Sequence, residues 1–539
     1  MSLRTKWNRF RKALRYAALL NGDATELLSA RAGQQSGPNQ NWVPKNRHAA
    51  EEAFDKRDLI RARSRDITIN TAFGAANMLA RKNHVLGAAL KPNPRAKNKK
   101  GDLRTNFNDA TEQLWNRSVA TLDARGVGDG YTVMEQFYHE VIETGAGLIH
   151  VRIQPGSGPV PIQFYGIEVD HLYGSGLNRA TGNEIYNGIE LSKDTNAPVA
   201  FHVQDDRISS GFRTSFLSRR LPADECIYAF IPGRFGELCG RPIASPVLQD
   251  IHSLQGYDES ETNRAQAASS RLHYIISEHA KARMAGMKQA NRADDNSETE
   301  RLEEIPSLGR QYLLKGEEPR AVDDKAPGPQ YGDFVKNKRR GMSAATGFSY
   351  EALFRDHTDT HFSASKAVWV DDTCSTKRDR GILARLAFDK MYELWLRSGI
   401  LYGSFDPRII TASAAFSDPE TWWLLSRVEW RGHARGFHDP LKDLQAAALG
   451  IAIGVDTRTR VCSEFYGRDF ADVVKELSTE EGLIRSAGLQ WLVAPSTVLP
   501  IAEIGQDDSE DDGQTNPKSQ KNGVSRLNGN GLATRITVN

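Results

Sequence analysis

Asp356-His357-Thr358-Asp359-Thr360-His361 is the densest run of metal-ligating and acid–base side chains in the sequence. Its two histidines stand at H-x3-H spacing. In a helix they share a face, and Asp356 or Asp359 then completes a ligand set for zinc or a similar ion. The enzyme that such a set supports is a metal-dependent hydrolase. However, the run lacks the glutamate of H-E-x-x-H, and Gly347, Ser349, Thr358 and Ser363 favour a solvated polar loop. Gly126-Val-Gly128-Asp-Gly130 is a turn before a helix, because no strand precedes it and no Lys-Ser/Thr follows as in a phosphate-binding loop. No G-x-S-x-G occurs. Cys226, Cys239, Cys374 and Cys462 lie far apart with no C-x-x-C, which suggests neither a zinc site nor a disulfide framework and fits a reducing compartment. These residues define no catalytic centre, and no cofactor or resident metal is expected.

Charge offers a different chemistry. Lys336, Lys338, Arg339 and Arg340 fall in a helical pattern before Gly347. At about 3.6 residues per turn, Lys336 and Arg340 share one face, with Lys338 and Arg339 to either side. Such a cluster touches phosphate where the architecture brings nucleic acid to it. Elsewhere it is a solvated charged face. Residues 279–327 are charged and poorly periodic, with Glu298, Glu300, Glu303 and Glu304 in close succession.

These residues need a frame to hold them. At about 150 residues per domain, 539 residues make about three or four domains. Lys and Arg number 70 against 68 Asp and Glu, a difference of +2. The chain therefore lacks the overall basic excess of a non-specific nucleic-acid binder. Hydrophobic residues at 39% and charged residues at 26% are ordinary for a folded protein. The longest weakly polar run, Ala446–Val455, is half of the roughly twenty residues a membrane span needs, so no membrane insertion is expected. Ala17–Leu20, after the basic residues Arg4 to Arg15, is too short for the apolar part of a signal peptide.

Periodicity and punctuation predict an α+β chain. Leu3–Tyr16 is a basic amphipathic helix and 21–47 a linker. Residues 48–90 read as helix, 92–101 as a basic loop and 104–125 as helix. A helix from Val133 to Ile142 precedes short strands at Leu148–Ile153, Ile162–Tyr165, Ile185–Leu191, Val199–Val203 and Ile227–Ile231. Ser245 and Pro246 open a helix reaching Ile276, about 48 Å long at 1.5 Å per residue. Its polar middle (Asp258, Glu259, Glu261, Asn263, Arg264) suits a helix bordering solvent. Residues 279–327 form an excursion with a strand-like piece from Ile305 to Leu314. Helix resumes over 331–346, a polar loop covers 349–362, and Phe362–Ser398 is a long helix. Asp439-Pro440 and Asp469 start two more helices. The acidic stretch 506–531, in a region without aromatics, reads as disordered.

Five segments in a fixed order carry a resemblance over residues 48–490. They are GIEL (188–191) with PVAFHV (198–203), LPADECIYAFIPGRFGELCGRPIASPVLQDI (221–251), GFSYEALFRDHTDTHFSASKA (347–367), WRGHARGFHDPLKD (430–443) and GVDTRTRVCSEFYGRDFADVVKEL (454–477). The chain resembles the portal proteins of lambda-type tailed bacteriophages. It departs from their usual pattern at Glu237 and Cys239, and in the run His361 to Lys366. The resemblance implies a non-catalytic subunit of a dodecameric ring at one capsid vertex, through which DNA passes during packaging and ejection. The implied partners are further copies of the chain, double-stranded DNA, the terminase large subunit, the major capsid protein and head-completion or adaptor proteins. The implied location is the virion, after assembly in the host cytoplasm.

The same resemblance maps the chain. After the basic segment and linker, 1–47, come the first part of the wing, 48–244, a stem helix, 245–278, and the clip, 279–327. A second stem helix, 328–346, leads to the tunnel loop, 347–362. Residues 363–500 hold the long helix, the rest of the wing and the crown, and 501–539 form a disordered tail. On this map Lys336, Lys338, Arg339, Arg340, His357, Thr358, Asp359, Thr360 and His361 face DNA in the channel. Glu298, Glu300, Glu303 and Glu304 dock the packaging motor or connector. Two rival readings are the hydrolase at Asp356, His357, Asp359 and His361, and a structural head protein without a channel.

Overall fold

A computed structural model describes residues 46–204, 218–269, 273–277, 317–321, 328, 330–358, 361–432, 434, 436 and 439–488. The helix at 3–16, the linker up to residue 45, the Ile305–Leu314 piece, Glu298, Glu300, Glu303, Glu304, Asp359, Thr360 and the tail at 506–531 lie outside the described residues. The chain divides into two units, 1–467 and 468–539. In the second, one helix spans Phe470–Ser486, and Asp469 caps it by accepting from Ala471 N at 3.0 Å, as its sequence position predicts.

The first unit opens with α1 (Ala49–Phe54), α2 (Arg57–Asn70) and α3 (Ala72–Arg81). The stretch read as helix over 48–90 is thus cut twice. Lys56 takes a left-handed conformation, and Thr71 leaves the helix to cap α3, accepting from Gly74 N at 3.1 Å. Lys91–Pro94, expected in a loop, forms β1, which pairs antiparallel with β12 (Val428–Arg431). Each strand of a two-stranded ribbon keeps one open edge. Pro92 and Pro94 therefore fit there although neither has an N–H to donate.

Helix α4 (Thr105–Ser118) and a short 3₁₀ turn precede α5 (Gly130–Thr144). The glycines at 126–130 form a turn, as read. Asp123 accepts from Arg125, Val127 and Gly128 N at 2.9 Å each, and Asp129 caps α5 through Thr132 N at 2.8 Å.

Two antiparallel sheets follow. β2 (Ala146–Ile153) lies between β3 (Ile162–Ile167) and β9 (Cys226–Phe230). The second sheet runs in chain order through β4 (Gly176–Leu177), β5 (Glu184–Tyr186), β6 (Ile189–Leu191), β7 (Pro198–Gln204) and β8 (Ser218–Pro222). Ile185–Leu191 is therefore not one strand. Asn187 and Gly188, at φ 49° and 83°, make a two-residue hairpin turn of the type that follows the right-handed twist of strands.

The helix read as opening at Ser245 and Pro246 begins later, as α6 (Leu248–Ser269), with the Ser245 hydroxyl making no capping bond among the described residues, and it ends earlier than its pattern suggests. His273–Ser277 is strand β10, paired with β11 (Glu317–Ala321). The apolar Ile275 and Ile276, taken as helix, belong to this ribbon. α7 (Tyr331–Thr346) ends at Gly347 as expected, but the polar loop after it contains the short helix α8 (Tyr350–Phe354). α9 (Phe362–Leu383) passes through a π-helical turn into α10 (Asp389–Leu401), which together give the long helix expected from Phe362 onward. Short helices α11 (Ala412–Ala415) and α12 (Pro419–Leu425) then lead to β12, and α13 (Pro440–Ala452) and α14 (Arg458–Val461) close the unit.

The core gathers where α4, α5 and α10 meet. Trp115, Phe388, Met391, Tyr392, Trp395 and Leu396 are all at most 1% exposed. Trp115 and Trp395 meet edge to face at 4.9 Å. The buried indole N–H groups find partners: Trp395 donates to Ser118 Oγ at 2.9 Å and Trp115 to Tyr131 Oη at 3.1 Å. This block holds the base of α6, α7 and α8 through Ile251, Met342 and Leu353.

Candidate functional site

Helix α7 carries the four basic residues between two neighbours. Val335 and Met342 are buried and fix it to the body. At its start Tyr331 Oη donates to Asp258 Oδ1 at 2.8 Å, and Tyr257 of α6 packs on Phe334 at 5.3 Å. This orientation turns Lys338 and Arg339 toward α6. Lys338 Nζ lies 3.4 Å from Asp250 Oδ1, and Arg339 Nη2 lies 3.8 Å from Asp258 Oδ2. Each partner is at least one-third exposed, so each pair is worth about 0–1 kcal/mol.

α7 also meets α8. The Arg339 guanidinium lies 5.3 Å from the Phe354 ring centre and that of Arg340 5.6 Å from Tyr350, both within cation–π range. Ser349 starts α8 by accepting from Ala352 N at 3.1 Å, and it donates to Asp372 of α9 at 2.6 Å. The segment between Gly347 and α9 is thereby tied to the long helix.

The described residues of the Asp356–His361 run, Asp356, His357, Thr358 and His361, are not helical. Asp356 accepts from Thr358 Oγ1 at 2.6 Å, Thr358 N at 3.2 Å and Tyr350 Oη at 2.8 Å. The Thr358 hydrogen bonds first, then that of Tyr350 and the nearby charge of Lys336, hold its carboxyl down at about 2. Both Asp356 oxygens are thus engaged. His357 is exposed, and exposed His361 stands at the start of α9 without a capping hydrogen bond. Among the described residues, no three His, Cys, Asp or Glu side chains gather at a position for a metal ion.

The sequence places the basic residues on one helix, and the structure agrees. What the sequence hides is their pairing within the chain, with Asp250 and Asp258 of α6 and with the aromatic rings of α8. The two carboxylates come from a helix separated by the whole excursion, so local spacing carries no trace of them. The one signal was that α6 is acidic where α7 is basic.

The chain matches the family model for phage portal protein, lambda family, over residues 35–380, well over half its length. It is 21% identical to the probable portal protein of Halomonas phage phiHAP-1, covering 92% of this chain and 94% of that one. To portal protein B of Escherichia phage lambda it is 22% identical, covering 57% of this chain and 60% of the relative. A solved chain from the neck of a native GTA particle aligns with a TM-score of 0.37 at 13% identity, over 74% of this chain and 91% of that one. The family match spans the two sheets, the α6–α7 pair, α8 and the start of the long helix. Its members serve as structural parts of a phage particle rather than as catalysts, in keeping with the order of segments read from the sequence. The chain belongs to the lambda family of phage portal proteins.

Proposed function

We propose that copies of this portal protein form a dodecameric ring at one capsid vertex, with α6 and α7 lining the axial channel for double-stranded DNA. The carrying observation is the surface of α6. Among its described side chains the buried ones lie in the first turn, at Leu248 and Ile251, and beyond them Gln255, Glu259, Thr262 and Asn263 stand exposed. A helix so polar along its outer side suits a water-filled passage better than a core. In this reading Lys336, Lys338, Arg339 and Arg340, with the segment from His357 to His361, meet the DNA backbone. The weak pairs to Asp250 and Asp258 allow a lysine or arginine to exchange a carboxylate for a passing phosphate at little cost.

The excursion at 279–327 serves as the clip that docks the terminase large subunit and later the adaptor proteins. Pairing of β10 with β11 draws its two ends together, which suits an appendage on a stalk. Residues 48–244 and 363–500 build the wing and crown that face the major capsid protein. The subunit assembles in the host cytoplasm and remains in the virion.

The experiment is to change Lys336, Lys338, Arg339 and Arg340 together to Gln. Rings with a central hole in particle images, combined with altered and less salt-dependent DNA retention, support the channel reading. Failure of ring assembly shows that the four residues hold subunits together and removes the DNA contact. Separately, changing Glu298, Glu300, Glu303 and Glu304 to Gln should leave rings intact and weaken terminase binding. Unchanged binding at physiological salt rejects the docking role.

A further inference from the structure

A cleft lies away from α6 and α7, between α9, the β1–β12 ribbon and the turn after α14, and encloses about 280 Å³. Four cations line it (Arg95, Lys377, Arg380, Arg431) against three carboxylates (Asp372, Glu429, Glu464), an excess of one positive charge. Arg95 donates to Glu429 at 3.0 Å and Lys377 to Glu464 at 3.0 Å. Asp372 accepts from Ser349 N at 2.9 Å and Ser349 Oγ at 2.6 Å.

Arg380 is different. Among the described residues its guanidinium bonds to main-chain carbonyls alone, Val85 O at 2.9 Å and His84 O at 3.1 Å. Burial lowers its pKa from the ordinary arginine value. The backbone at Gly432 lies against it so closely that a Cβ there would stand 2.2 Å from Arg380 Cζ. One helical turn back on the same face of α9 is Thr376, only 8% exposed, whose Oγ1 has no hydrogen-bond partner. Native proteins rarely leave such a buried hydroxyl unsatisfied. Among the described residues, a cation with no carboxylate hydrogen-bonded to it and a hydroxyl with no partner thus line one cleft, beside the indoles of Trp369 and Trp430.

We propose that this cleft is an oxyanion site, in which Arg380 and Thr376 donate to one compact anion of the phosphate or carboxylate class. Its volume takes a phosphate ion or one acidic side chain and is too small for a nucleic-acid duplex. The anion is either free in solution or the Asp or Glu side chain of a second copy of this chain.

The full-length protein is titrated with inorganic phosphate at constant ionic strength, following tryptophan fluorescence and the unfolding temperature. The expected result is saturable binding with a raised unfolding temperature. Arg380→Gln should weaken binding roughly tenfold, because the charged donor is lost. Thr376→Val should weaken it roughly threefold while leaving the phosphate-free unfolding temperature equal or higher, since it removes only an unsatisfied hydroxyl. Sedimentation in the same titration separates the two sources. Assembly unaffected by phosphate assigns the site to a free ion. Assembly that falls with phosphate in the wild type, and is already weakened in Arg380→Gln, assigns it to a neighbour's carboxylate. Equal phosphate affinity in wild type and both variants, or no saturable effect on either readout, overturns the proposal.

Discussion

Glu190 is fully buried, yet its carboxylate lacks nothing. Arg220 Nε donates at 2.8 Å, Asn183 Nδ2 and His202 Nε2 at 2.9 Å, and Asn178 Nδ2 and Thr181 Oγ1 at 3.1 Å. Burial opposes ionisation, but these donors, Arg220 foremost, hold its carboxyl well below the usual range. Its contribution to stability is therefore present above about pH 4.5 and is lost as pH falls below that toward the depressed value. Glu190→Gln should cost about 3 kcal/mol at neutral pH by denaturant unfolding, and should flatten the acid limb of the stability curve. Glu140 behaves in the opposite way. Burial raises its carboxyl to about 7, because Arg61 and Arg65 both serve Asp170 and Arg65 leaves Glu140 a contact of 3.7 Å. Its contribution is full below about pH 4.5 and is lost as pH rises through about 7. Glu140→Gln should therefore stabilise the protein by about 1–3 kcal/mol at pH 8 and change little at pH 5, as read by unfolding temperature. Neither environment is legible in the sequence. Glu190 looks like a polar residue alternating with Ile189 and Leu191, and nothing local says that residues 178–183 fold over its face.

Among the elements, the β5–β6 hairpin shows where sequence patterning falls short and how it can be corrected. Hydrophobic alternation alone runs through Ile185–Leu191, whereas the backbone freedom of Asn187-Gly188 decides the turn. Gly188 sits at φ 83° with Tyr173 N only 2.6 Å from where a Cβ would stand. Gly188→Ala should cost about 1–3 kcal/mol, while Asn187→Gly should stay within about 1 kcal/mol, both by denaturant midpoint. Helix starts were more legible where the cap is local: Asp439 and Asp469 each start the helix their position predicts, whereas the Ser349 cap was read as loop. The β1–β12 ribbon and the end of α6 were hidden because both depend on strands distant in the chain. Tertiary pairing there overrides local propensity.

At the scale of the whole molecule, the charge excess of +2 and the intrachain pairs on α7 describe one design: cations are present at the proposed channel but already partly answered. Asp250→Asn with Asp258→Asn removes two carboxylates per chain, an effect repeated around a ring. It should raise DNA retention by rings roughly threefold to tenfold at low salt, with a steeper salt dependence. Equal retention across a salt series would mean that these pairs do not tune DNA contact. The β1–β12 ribbon has a consequence for biosynthesis. Residues 91–94 find their partner only at 428–431, and Trp115 finds Trp395 only once the chain has passed well beyond residue 380. At about 5–20 residues per second, the ribosome leaves the early strand waiting on the order of tens of seconds. A chain that stops short of residue 431 therefore cannot close its fold. Premature termination then yields a fragment exposed to proteolysis rather than a defective subunit able to enter a ring, where one faulty copy would spoil all the others.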